Sequence, residues 1–163
     1  MISADRLLRR IRLWLWLFIA GLVLSGVTAL PLTWEVDRLA GLLGHGGSGL
    51  AEWVLRVQGG LHDTYTRYPF MAYGTDWFAF GHLMIAIAFV GPLRNPVRNR
   101  WVITFGMIAC ILVVPWALVF GPLRGIPFFW RLIDYSFGLF GIVPLWLCRR
   151  DIDALERMEA RQE

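Results

Sequence analysis

Residues 98–124 read RNRWVITFGMIACILVVPWALVFGPLR. Arg98 and Arg100 stand at one end and Arg124 at the other, with no charged side chain between Arg100 and Arg124. A hydrocarbon core about 30 Å thick takes about 20 apolar residues of helix. The stretch therefore predicts one membrane crossing, at residues 101–121.

Working outward, three further stretches have the same build. Residues 13–34 follow Arg6, Arg9, Arg10 and Arg12, and residues 76–93 precede Arg94, Arg98 and Arg100. Residues 126–148 precede Arg149 and Arg150. Of the 163 residues 57% are hydrophobic and only 17% charged, and the mean hydropathy is +0.55. Four crossings and one loop use up the sequence, leaving no soluble catalytic domain. The expected fold is all-α: an integral membrane protein built as a four-transmembrane-helix bundle.

Arginine sets the expected orientation, because cytoplasmic flanks and short loops carry an excess of Lys and Arg. With both termini inside, Arg38, Arg56, Arg67, Arg124 and Arg131 lie outside and the other eleven of the sixteen basic residues lie inside. Aromatic residues sort the same way. Trp14, Trp16, Trp101 and Trp146 fall near the inner interface; Trp34, Trp77, Trp116 and Trp130 fall near the outer one, with Tyr65, Tyr68 and Tyr73 close by. Amphipathic rings favour the headgroup level. The first stretch also fits a signal peptide ending at Val27-Thr28-Ala29, but its length favours an uncleaved helix. All basic residues are Arg, a usage expected of a GC-rich bacterial genome, which makes the inner membrane the expected location.

Residues 35–75 are the one sizeable extramembrane segment. Leu50, Trp53, Val54, Val57, Leu61 and Tyr65 recur at helical spacing, which predicts an amphipathic helix on the outer face. Ser48 is its expected N-cap, Gly59-Gly60 its weak point, and residues 37–43 a shorter helical piece. Residues 149–163 predict a charged cytoplasmic helix with an Asp153–Arg157 pair.

The motifs exclude several chemistries. Without Lys there is no P-loop lysine. Gly44 to Gly49 match the letters of GxGxxG, but no strand precedes them, as a dinucleotide site requires; they read as a link between helices. Cys110 and Cys148 have no metal or redox spacing and read as apolar packing residues. The net charge of +4 comes from arginines at membrane edges, so no nucleic acid is expected as a partner. Gly91-Pro92-Leu93-Arg94 recurs as Gly121-Pro122-Leu123-Arg124 and reads as two similar span-ending turns. Residues 16–26 resemble the first helix of membrane b-type cytochromes over about one span. That family holds haem with paired histidines, whereas only His82 lies within a span here. No cofactor and no metal are expected.

Small residues recur every four positions at Gly21, Ser25 and Ala29, and Gly138 and Gly141 share a face with Asp134. They are expected to let helix backbones approach. Ionisable groups inside a bilayer are costly, about 2.5–3.5 kcal/mol each, so His82, Asp134 and Arg131, with Asp76 at the mouth of the second span, are the candidate ligand or ion site. The competing reading is an interhelical pin, with Arg131 neutralising Asp134. The leading functional expectation is a non-enzymatic subunit or scaffold of a membrane assembly, partnered by the lipid bilayer and by another membrane protein or its own copies. The alternatives are a transporter or channel component handling an ion, a proton or a lipid headgroup, and an intramembrane lipid-modifying enzyme.

Overall fold

The computed structural model describes residues 3–44 and 47–160. His45 and Gly46, within the Gly44–Gly49 link, and residues 161–163 of the tail lie outside the described residues. Among the described residues seven α-helices follow in order: α1 (Ala4–Thr28), α2 (Leu32–Leu43), α3 (Gly49–Arg67), α4 (Tyr73–Ala88), α5 (Val90–Arg94), α6 (Arg100–Leu123) and α7 (Phe128–Glu159), with a 3₁₀ turn at Pro69–Ala72 before α4. There is no strand among the described residues. Four helical stretches, Ala4–Thr28, Pro69–Arg94, Arg100–Leu123 and Phe128–Met158, are long and apolar enough to cross a membrane.

The chain forms two compact units: Leu22–Ile85, and the residues up to Gly21 together with those from Ala86 onward. In the first unit, α1 stops at Thr28, short of the edge expected at residue 34. Pro31 is the cause, since proline has no N–H to donate and disfavours helix in the residue before it. The Thr28 hydroxyl bonds back onto the last turn, donating to Leu24 O at 2.9 Å. The chain restarts as α2, whose Val36 and Ala40 are buried, as are Ala51 and Val54 of α3. The Ser48 hydroxyl caps α3 by accepting from Ala51 N at 3.3 Å. Gly59-Gly60 does not interrupt α3, which continues to Arg67.

In the second unit, a stripe on α1 is buried: Leu7, Ile11, Leu15 and Ile19, one residue per turn. Leu13, Trp16 and Leu17 between them are exposed. From Leu13 onward α1 carries no charge on any side yet buries only one stripe, the pattern lipid allows and water does not. The core of this unit is Ile11, Leu15, Phe89, Ile103, Leu145, Cys148 and Ile152, all essentially inaccessible. It lies toward the arginine-rich end of the helices, not at their middle. Phe18 also packs on Phe89, ring centroids 4.7 Å apart.

Glycine brings α6 and α7 together. A Cβ at Gly138 would lie 2.5 Å from Cys110 O and 2.7 Å from Val113 Cγ1; one at Gly141 would lie 2.8 Å from Cys110 Sγ. Gly106 makes the same space for Phe89 and Leu145. The turn between the helices uses Gly125 at φ 68°, with Gly125 N donating to Pro122 O and Ile126 N to Gly121 O. A side chain at that φ is strained. Pro115 and Pro122 lie within α6 and Pro144 within α7 without ending either helix. In α1 the close approach is at Gly26, where a Cβ would stand 2.9 Å from His82 Cβ and 3.1 Å from Ala79 O. Gly21 is different from the expectation of a packing face: a Cβ there meets nothing within 4 Å. The buried stripe runs along another side of the helix.

Gly138→Leu is expected to destabilise the protein by about 1–3 kcal/mol, the usual cost of overpacking, because the obstacle is helix backbone. Gly21→Leu should stay within about 0.5 kcal/mol. Denaturant titration in mixed micelles separates the two; equal losses would contradict the packing described.

Candidate functional site: polar groups along the spans

His82 and Asp76 belong to Leu22–Ile85; Arg131 and Asp134 belong to the other unit. His82 Nδ1 lies 3.0 Å from Phe78 O, one turn back on α4. A carbonyl only accepts, so this nitrogen carries the proton, and the ring also lies on Phe78 with centroids 4.2 Å apart. Asp76 is exposed in the first turn of α4, where a carboxylate complements the positive end of the helix.

The expected Arg131–Asp134 pair is absent: among the described residues no ion pair joins them. Arg131 instead lays its stem across Gly121 and its guanidinium over the Phe128 ring, 5.2 Å from the centroid. Its Nε and the Tyr135 hydroxyl are buried without a hydrogen-bond partner. Asp134 is half-buried between them in sequence.

The strongest polar organisation lies elsewhere, at the arginine-rich end of the second unit. Arg100 sits at the start of α6 and forks between two acids of α7: Nη2 is 2.8 Å from Asp153 Oδ1 and Nη1 is 2.7 Å from Glu156 Oε2. A planar guanidinium suits such double engagement. Arg149 donates to Asp153 at 3.3 Å and to the Thr104 hydroxyl at 2.5 Å. Asp151 is 3% exposed. Arg10 Nε stands 3.1 Å from its Oδ2, close enough for an ion pair though not aligned as a hydrogen bond. Arg150 approaches Oδ1 at 3.7 Å. The expected Asp153–Arg157 pair is thus replaced by pairing to Arg149 and Arg100, because the tail helix folds against α6 and does not stand free.

A second polar cluster joins α2 to α3. Asp37 Oδ1 accepts from Gln58 Nε2 at 2.8 Å and lies 2.8 Å from His62 Nε2. The Gln58 hydrogen bond, then that of His62, holds the Asp37 carboxyl below its ordinary value of 3.8, with desolvation opposing. Neither cluster announces itself in sequence, since the partners that join different helices lie 21 to 141 residues apart. The one local hint is the i,i+4 spacing of Arg149 and Asp153. Among the described residues no three His, Cys, Asp or Glu side chains are grouped to hold a metal ion. The chain matches no protein-family model, no curated protein and no solved structure.

Removing a partner from a buried pair leaves the other charge uncompensated, at about 3–5 kcal/mol when both are buried. Arg10 is a third exposed, so Asp151→Asn is expected to destabilise by about 2 kcal/mol, read by denaturant titration; no loss would show that the pair contributes nothing. Asp37 gives a pH dependence of defined sign. A depressed carboxyl contributes stability above its unfolded value and loses it as pH falls through the folded one. Protection of the 49–67 amides, corrected for intrinsic exchange, should therefore fall below about pH 4, and Asp37→Asn should flatten that dependence. An unchanged profile in the variant would assign the loss to other groups.

Proposed function

We propose that the chain is a multi-pass protein of a bacterial inner membrane, with both termini cytoplasmic, 35–75 as an amphipathic outer segment, and a non-enzymatic role as subunit or scaffold of a membrane assembly. The orientation is supported by arginine asymmetry across the four apolar helices. The role is supported by one observation above all: Asp151, Asp153 and Glu156 of the α7 tail are engaged in holding that tail to α1 and α6. Such a tail is a rigid continuation of a membrane helix, suited to presenting a surface. The mid-span faces of α7 are apolar and open, with Leu139 and Phe140 64% and 74% exposed, suited to lipid or a partner helix.

The transporter reading has its own support in the buried, unpartnered Arg131 Nε and Tyr135 hydroxyl beside Asp134, since such groups call for an explanation. Purification in a mild detergent followed by native mass spectrometry should recover a species heavier than one chain, and a lone monomer would overturn the scaffold role. If reconstituted protein instead supports an ion flux that Asp134→Asn and His82→Ala abolish with the fold intact, the transporter reading replaces it.

A further inference from the structure

The arginines at one end of the second unit differ in what they face; Arg6, Arg9 and Arg157 are exposed and line no hollow. Arg10, Arg100, Arg149 and Arg150 each stand within ion-pair distance of a carboxylate. Arg12, Arg94 and Arg98 have no such partner among the described residues, and all three are exposed. They line one open hollow of about 380 Å³ together with Leu8, Leu155 and Asn95.

The turn that carries two of these cations is held in place. Arg98 N donates to Asn95 Oδ1 at 2.9 Å. Asn99 Nδ2 donates to Asn95 O at 2.9 Å and to Gly91 O at 3.2 Å, and Pro96 is buried. A Cβ at Gly91 would stand 3.0 Å from Asn99 Oδ1, so glycine is what lets this side chain lie across α5. Three like charges stand around one concavity with no counter-charge among the described residues that line it, an arrangement that favours an anion entering it.

We propose that this hollow binds the phosphate of an anionic phospholipid headgroup. Guanidinium groups bind phosphate oxygens two at a time. The hollow lies where the apolar stretches of α1, α4–α5 and α6 give way to arginine, the level at which headgroup phosphates sit. Basic pockets between membrane helices are a recognised mode of anionic-lipid capture. Leu8 and Leu155 add apolar contact for the glycerol end of a lipid, which free phosphate would not use. The proposal depends on the four apolar helices crossing a membrane and not on the scaffold role.

The test uses the full chain in neutral detergent, titrated with phosphatidylglycerol or phosphatidylcholine and read by native mass spectrometry. Phosphatidylglycerol should be retained in preference to phosphatidylcholine. The combined variant Arg12→Gln, Arg94→Gln, Arg98→Gln should weaken phosphatidylglycerol retention about a hundredfold, at about fivefold per arginine. The charge-matched set Arg6→Gln, Arg9→Gln, Arg157→Gln, which does not line the hollow, should weaken it less than about fivefold. Circular dichroism checks the fold, and if the triple variant is unfolded, Arg94→Gln alone should still show its about fivefold loss. Equal retention of the two lipids, or equal losses in the two triple variants, would overturn the site. So would inorganic phosphate binding to the hollow while phosphatidylglycerol does not, which would make it a site for a soluble anion.

Discussion

Hydrocarbon offers no water to a backbone amide, so every N–H and C=O within it has to be satisfied by the chain itself. A helix does this locally, and the four apolar stretches comply by being helical through nearly their whole length. Even the prolines obey this constraint. Pro115, Pro122 and Pro144 each remove an N–H, yet α6 and α7 run on through them. Pro31 lies at the end of an apolar stretch, and there the helix does end.

With the backbone settled, the hydrophobic effect no longer drives one helix toward another, because lipid tails are as apolar as leucine. Close contact and polar groups have to do it. The α6–α7 contact follows from two glycines that bring Cys110 and Val113 against the bare α7 backbone. At the arginine-rich end the work passes to charge. Arg100 joins α6 to two acids of α7, and Arg10 joins α1 to Asp151. These pairs lie beside a buried apolar core of Ile11, Leu15, Phe89, Leu145 and Ile152, which screens them less than open solvent would.

The same physics sorts the polar residues by role. His82 satisfies its Nδ1 on its own helix, at Phe78 O. The cations at the arginine-rich end include four that close onto tail carboxylates and three that face an open hollow. The first group binds the chain together; the second is left facing outward.

The one-dimensional pattern alone decided the helices and their approximate bounds, since apolar length and flanking arginine are local properties. It also decided the Ser48 cap, because a hydroxyl three residues ahead of an open N–H is likewise local. Tertiary structure decided which faces meet. Small residues at Gly21, Ser25 and Ala29 had the right spacing, but spacing does not say which side of a helix finds a neighbour; the contact fell at Gly26, while Gly138 and Gly141 lie against α6. It also decided the charge pairing. Arg131 is three residues from Asp134 and could reach it, yet it lies over Phe128, whereas Arg100 reaches Glu156 across 56 positions. Pairing energy depends on distance in space, and only the folded backbone sets that distance.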